Sequence, residues 1–342
     1  MVRLLEKIEV IIEEYGTSVG KKSERLIVRQ KRKVVNEVPF YDISEISIIT
    51  SGVSISTDLI WECSQRGIPI NFLLRSGEPF AKIMSPNMQG TVKTRRAQLL
   101  AFEDQRGVEL AKAFAIGKLQ NQQVLLKYFL KYRKQNDPQM YSNSMKAVDK
   151  ITTYIEQIKK LQGEKIDDLR GQLLAYEGQA SKKYWSIFSS LVSEKYKFPG
   201  RKTQGAIDLV NSLLNYGYGI LYSKVWGAIM RAGLDPYGGF IHVDRPGKPS
   251  LVLDLIEEFR QPVVDRTVLA GLNKGKSYEL DDKGLSDSTR KELAKHIMMR
   301  LESTAKYRGH KHKIRNIIQR QARHLAVVVR GEGIYRPFIS TW

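Results

Sequence analysis

The sequence predicts an α+β chain, with a small N-terminal β-sandwich or β-roll followed by a larger all-helical domain. Three observations carry this. Short Val- and Ile-rich runs punctuated by turn residues fill the first part. The apolar period then changes to that of helices. A length of 342 residues, 42% of them hydrophobic, is enough chain for two cores. The expected division is residues 1–85, a linker at 86–91 (Pro86-Asn87-Met88-Gln89-Gly90 and the residue after it), and residues 92–342.

Strands are expected at Ile8–Ile12, Thr17–Lys22, Arg25–Gln30, Lys33–Val38, Ile46–Thr50, Pro69–Leu74 and Pro79–Met84. Gly16, Gly20, Asn36, Ser51-Gly52 and Ser76-Gly77 separate them. One helix interrupts the strands, capped by Ser56 or Thr57 and ending near Arg66 ahead of Gly67. Beyond the linker, helices are expected at Val92–Phe102, Gly107–Lys134, Met145–Leu161, Asp167–Glu194, Ala206–Ala232, Ser250–Gln261, Val263–Ala270, Ser288–Tyr307 and Lys311–Val329. Lys274–Leu285 reads as a polar hairpin or loop. The tail Gly331–Trp342 has no period and is expected to order only against a partner.

Composition narrows the function. Lys and Arg number 56 against 36 Asp and Glu, a net charge of +20. An excess of this size points to a polyanion partner. No apolar run reaches membrane-spanning length, and no basic amphipathic terminal helix with aromatic anchors is present. The single cysteine, Cys63, excludes an intrachain disulfide and any multi-cysteine zinc module, and suits a reducing cytosol. There is no P-loop, GxGxxG, CxxC or GxSxG.

The chemistry-bearing residues are Glu177, His242, Asp254 and Glu257. On a helix, Glu177 neighbours Leu173, Leu174, Ala180 and Tyr184, so it replaces an apolar residue on a core-facing stripe. Taken alone, it is equally a core carboxylate satisfied by a Lys, a Tyr or the backbone. His242 follows the turn Gly238-Gly239 and a short apolar run. On the next helix, bounded by Pro249 and Pro262, Asp254, Glu257 and Glu258 stand at i, i+3 and i+4. Like charges at that spacing repel unless a cation lies between them. In isolation this helix reads as a solvated acidic face. In combination, Glu177, His242 and Glu257 are expected to hold one divalent cation, Mn²⁺ or Mg²⁺, with Asp254 behind them or at a second metal. A carboxylate–imidazole metal site on a basic chain points to phosphodiester chemistry on nucleic acid.

Two basic groups complete the reading. Arg245 and Lys248 lie on a Pro/Gly-stiffened loop after His242, suited to phosphates or merely to an exposed turn. Between Glu302 and Glu332 there is no acid, and Lys311, Lys313, Arg315, Arg320 and Arg323 belong to the densest basic run, read as a phosphate track. His310-x-His312 has no carboxylate near it in sequence.

At these residues the chain resembles a known family. Leu174-Ala175-Tyr176-Glu177-Gly178-Gln179-Ala180, Asn211-Ser212-Leu213-Leu214-Asn215-Tyr216-Gly217-Tyr218, Gly239-Phe240-Ile241-His242 and Ser250–Arg260 together look like the universal CRISPR-associated integrase of spacer acquisition. The resemblance implies a homodimer joined through its N-terminal β domain, with Glu177, His242 and Glu257 as metal ligands and Asp254 at a further acidic position. It also implies a small ferredoxin-fold partner, a short duplex DNA, and insertion of that DNA into a repeat array by 3′-hydroxyl attack, in a prokaryotic cytoplasm. The competing readings are a stand-alone structure-selective nuclease with the same ligands, and a non-catalytic basic DNA-binding scaffold.

Overall fold

The computed structural model describes residues 7–74, 77, 79–85, 92–203 and 205–341. The expected linker at 86–91 lies outside the described residues. The chain divides into two units, Met1–Met88 and Gln89–Trp342.

In the first unit, β1 (Ile8–Ile12), β5 (Ile43–Ile48), β7 (Ile70–Leu73) and β8 (Pro79–Ile83) form one sheet in the order β1-β5-β7-β8. β1 and β7 run parallel to β5, and β8 is antiparallel to β7. The second sheet is β4-β3-β2-β6, from β2 (Ser18–Lys22), β3 (Arg25–Gln30), β4 (Lys33–Pro39) and the two-residue β6 (Ser54–Ile55). Helix α1 (Thr57–Gln65) starts at Ser56, whose hydroxyl accepts from Leu59 N at 3.3 Å. Val10, Ile46 and Ile70 from one sheet, Val19, Leu26 and Val38 from the other, and Leu59 and Cys63 from α1 share one core. This is the two-layer solution for sheets with one apolar face each.

The second unit holds α2 (Val92–Phe102), α3 (Gln105–Leu130), α4 (Pro138–Lys160), α5 (Arg170–Leu191), α6 (Leu209–Arg231), α7 (Ser250–Ile256), α8 (Arg266–Asn273), α9 (Asp287–Glu302) and α10 (Ile314–Val329). Asp104, Asp137, Asp208 and Ser286 cap α3, α4, α6 and α9 through their side chains. Helix α6 buries Val210, Leu213, Tyr216, Leu221, Val225 and Ala228 on several faces, as a central helix must. Two short hairpins, β9 (Leu280–Asp281) with β10 (Gly284–Leu285) and β11 (Thr304–Tyr307) with β12 (His310–Lys313), interrupt the helices.

Three expectations are corrected here. Pro262 does not stop the helix that begins at Ser250. Helix α7 ends at Ile256, and Pro262 lies in a π-helical turn, Arg260–Asp265, that runs into α8. The wider turn absorbs the proline that an α-helical turn rejects. The helices expected at Ser288–Tyr307 and Lys311–Val329 give up Thr304–Lys313 to β11 and β12. Ala305 and Tyr307 alternate inward there, and Arg308 and Gly309 turn the chain with positive φ. The tail does not wait for a partner. Phe338 N donates to Glu258 Oε2 at 2.7 Å, Ser340 N donates to Asn121 Oδ1 at 2.8 Å, and the Phe338 ring stacks on Phe259 with centroids 5.4 Å apart.

Candidate active site

Glu177 sits half-buried on α5, where Ser181 Oγ donates to its Oε1 at 2.9 Å. Lys118 reaches the same oxygen from α3, with Nζ 2.6 Å from Glu177 Oε1. The ammonium also stands 2.9 Å from Glu257 Oε2. Glu257 directly follows α7 and pairs on its other oxygen with Arg260 Nε at 3.1 Å. Burial raises the Glu257 carboxyl, but Lys118 and then Arg260 outweigh it and hold the group at about 2. The Lys118 ammonium, opposed by burial, is held above its ordinary value by Glu257 and Glu177.

Asp254 has no solvent exposure. Its Oδ2 accepts from Phe240 N at 2.5 Å and Ile241 N at 3.1 Å. Its Oδ1 accepts from His242 N at 3.2 Å and meets His242 Nδ1 at 2.6 Å. Opposite a carboxylate, which accepts, Nδ1 is the ring nitrogen placed to donate, and Nε2 is the one directed away from Asp254. A carboxylate fixing one ring nitrogen so that the other can ligate is the usual support of a metal-binding histidine. Asp254 therefore shapes the loop before His242 as well as the ring.

That loop is held from several sides. Gln98 on α2 donates through Nε2 to Asp235 O at 2.8 Å and Gly238 O at 2.6 Å, and accepts from Asp235 N at 2.8 Å. Arg170 on α5 donates to Phe240 O at 3.2 Å. A Cβ at Gly239 would fall 2.6 Å from the Ser250 backbone, so the loop can lie against the start of α7 only with glycine there.

The structure thus joins Glu177 to Glu257 through Lys118, and His242 to Asp254 by a direct bond. Among the described residues, no three His, Cys, Asp or Glu side chains converge closely enough to hold an ion as they stand. The ammonium of Lys118 takes the place of positive charge between the two carboxylates. The donor set nevertheless suits a hard divalent cation: two carboxylates whose oxygens already flank one positive charge, and an imidazole nitrogen turned away from Asp254.

Glu258 points away from this group. Tyr335 OH donates to its Oε1 at 2.5 Å, and Gln321 Nε2 and Phe338 N donate to its Oε2, each at 2.7 Å. Burial pushes its carboxyl up to about 7 despite these donors. Asp265 is similarly enclosed, accepting hydrogen bonds from the Tyr184 and Tyr218 hydroxyls.

Arg245 and Lys248 line a cleft of about 390 Å³ beside the His242 loop, together with Leu99 and Tyr237. In the expected basic track, Lys311, Arg320 and Arg323 are exposed. Lys313 and Arg315 pair with Glu302 at 2.9 and 3.0 Å, so they are less available to phosphates than the composition suggests. Lys118, Arg260 and Gln98 escaped the sequence reading. Lys118 carries the signal that exposed Glu177: one ionisable residue in the otherwise apolar stretch Ala113–Leu119.

A family model for the CRISPR-associated protein Cas1 matches residues 10–298. A CRISPR-associated endonuclease Cas1 of Archaeoglobus fulgidus is 36% identical, over 97% of this chain and 99% of its own. The chain belongs to the Cas1 family of CRISPR-associated endonucleases. Among solved structures, a casposase bound to integration product superposes with a TM-score of 0.80 at 23% identity, covering 96% of this chain and 92% of that one. A chain of a Cas6-RT-Cas1–Cas2 complex superposes with a TM-score of 0.77 at 19% identity, covering 99% of this chain and 36% of that one. The Cas1 family model ends before the β11–β12 hairpin and α10, which carry the basic run.

Proposed function

We propose that this Cas1-family chain is a metal-dependent DNA endonuclease and strand transferase that inserts short duplexes into a repeat array. The observation that carries the proposal is the pairing of two carboxylates, Glu177 and Glu257, across one cation, beside an imidazole whose Nε2 is left open by Asp254. Glu177, Glu257 and His242 are the residues that would hold Mn²⁺ or Mg²⁺. The ion, when bound, would polarise the scissile phosphate and offset charge on the attacking and leaving oxygens.

The chain's own residues do the rest. Asp254 fixes the tautomer of His242 and the backbone of Phe240–His242. His242 would serve as a ligand rather than a base, because the Nε2 lone pair that could accept a proton is the one the ion would take. Arg260 and Lys118 keep Glu257 ionised in a buried setting. Arg245 and Lys248 lie where they can hold the DNA backbone, and Lys311, Arg320 and Arg323 offer further phosphate contacts.

Double-stranded DNA is the substrate of this reading, in keeping with the integration product bound by the casposase. A homodimer formed through the N-terminal unit is supported by Val34 and Val35, exposed on the edge strand β4. A small ferredoxin-fold protein is the further partner, in keeping with the Cas1–Cas2 complex. Among the described residues, no helix is long and apolar enough to cross a membrane.

The test is integration and cleavage of DNA with Mn²⁺ present, comparing the wild type with Glu177→Ala and His242→Ala. Both variants should lose both activities. Wild-type rates in the two variants would end the proposal.

A further inference from the structure

The helical unit contains a second concave site that shares no residue with the acidic one. It is a cavity of about 950 Å³ at the C-terminal ends of α3, α5 and α9 and along the length of α8, from Arg266 to Asn273. Six cations line it, Arg133, Lys195, Arg266, Lys274, Lys276 and Arg300, and no Asp or Glu among the described residues does.

Helix C-termini attract cations, so the lining needs a larger cause than the helix ends alone. Four ends contribute about −0.5 charge each at most. Lys276 is also engaged, with Nζ 3.1 Å from Glu292 Oε1. The six lining cations exceed the charge those ends offer.

The surplus is felt inside the cavity. Arg300 donates to Pro262 O at 2.8 Å and Ser303 Oγ at 3.0 Å. Burial and the neighbouring Arg266 push its guanidinium down to about 9. An incoming anion relieves that repulsion.

Aromatic rings stand among the cations. Arg266 lies 5.0 Å from the Tyr128 ring centroid, and Lys131 caps Tyr128 and Tyr132 at 4.6 and 4.7 Å. Tyr132 is 61% exposed and lines the cavity. Polyanion charge alone would not require rings here. A planar base stacked on tyrosine, with its phosphates on the arginines, uses both features.

We propose that this cavity binds a nucleotide, with the phosphates held by Arg266, Arg300 and Lys274 and the base against Tyr132. Two sources share this chemistry: a free nucleoside triphosphate, and the unpaired end of a DNA strand. The site does not depend on the metal-site reading.

The experiment is calorimetric titration of the full-length protein in chelator. The probes are dATP, a short single-stranded oligonucleotide, deoxyadenosine and inorganic phosphate. The protein is wild type, Glu177→Ala, and the surface variant Tyr132→Ala/Lys274→Glu. Wild type and Glu177→Ala should bind dATP, the oligonucleotide or both, more tightly than deoxyadenosine or phosphate. Saturation by dATP alone identifies a free nucleotide, and saturation by the oligonucleotide alone identifies a strand end. The double variant should bind at least roughly tenfold more weakly, about 1.4 kcal/mol, with an unchanged melting temperature. Lys274→Arg should restore affinity in the Tyr132 background as far as Tyr132→Ala alone. The proposal is overturned if wild type binds neither nucleotide probe, if phosphate alone binds as tightly as dATP, or if the double variant binds like wild type.

Discussion

Glu177 and Glu257 lie on different elements and share one ammonium, Lys118 Nζ being 2.6 Å from the first and 2.9 Å from the second. In the proposed mechanism a metal ion competes with that ammonium for the same oxygens. Lys118→Met should therefore lower the Mn²⁺ concentration needed for half-saturation. In chelator the same variant should melt lower than wild type, because a buried Glu257 then loses the stronger of its two neighbouring cations and keeps Arg260. Added Mn²⁺ should recover the difference. Titration calorimetry and melting curves in both conditions check this.

Asp254 and Glu177 make opposite demands on stability. Asp254 is fully buried and takes three backbone amides and the His242 ring. Replacing it with alanine strands those amides, at a cost of about 1–3 kcal/mol for each buried donor left unpaired. Glu177 is half-buried and lies on a helix that other contacts hold. Denaturant unfolding should show Asp254→Ala destabilised by several kcal/mol and Glu177→Ala by much less. Both variants should lose activity, the first through the loop and the second directly.

The tail is a structural part of the helical unit. Glu258 receives two of its three donors from Tyr335 and Phe338, and a Cβ at Gly117 would fall 2.7 Å from Pro337. Deleting residues 332–342 leaves the Glu258 carboxyl buried beside Gln321 alone. The truncated protein should lose about 1–3 kcal/mol or more of stability, read by chemical denaturation. Equal stability would show that the tail is not latched.

Much of this was legible in the residue pattern, and the reasons for the rest are physical. Helix α2 has its expected bounds, although the residues it buries are Thr94, Gln98 and Ala101 while Leu99 and Leu100 stay exposed. Asp254 stands out in the sequence as an acid sharing a helical face with Glu257 after a glycine turn, and the structure places it against the His242 ring. Lys118 shows in the sequence only as one ionisable residue in the apolar stretch Ala113–Leu119, and that signal does not separate a lysine that snorkels to solvent from one that neutralises two distant acids. The strand pair Thr304–Lys313 was hidden because its alternation is short and flanked by strong helix formers. Pro262 misled because a single turn of wider helix accommodates what α-helical geometry cannot.

The N-terminal unit carries a pH dependence of its own. Lys21 and then Arg66 hold the Glu62 carboxyl below its ordinary value of 4.5, against burial. A depressed carboxyl contributes stability that is present above pH 4.5 and lost as pH falls below it. Melting temperatures of wild type and Glu62→Gln should therefore converge as pH is lowered through that range. The gap should be constant from pH 5 to 7 if Glu62 is the cause. A gap that persists unchanged to pH 3 would contradict the assignment.

The most direct test of the central claim is Mn²⁺ binding itself, followed by electron paramagnetic resonance as the ion is titrated into the full-length protein without DNA. The account predicts that wild type sequesters Mn²⁺ and quenches the free-ion signal, and that Glu257→Ala and His242→Ala leave the ion free. Wild type that fails to sequester Mn²⁺, or variants that sequester it as well as wild type, would contradict it.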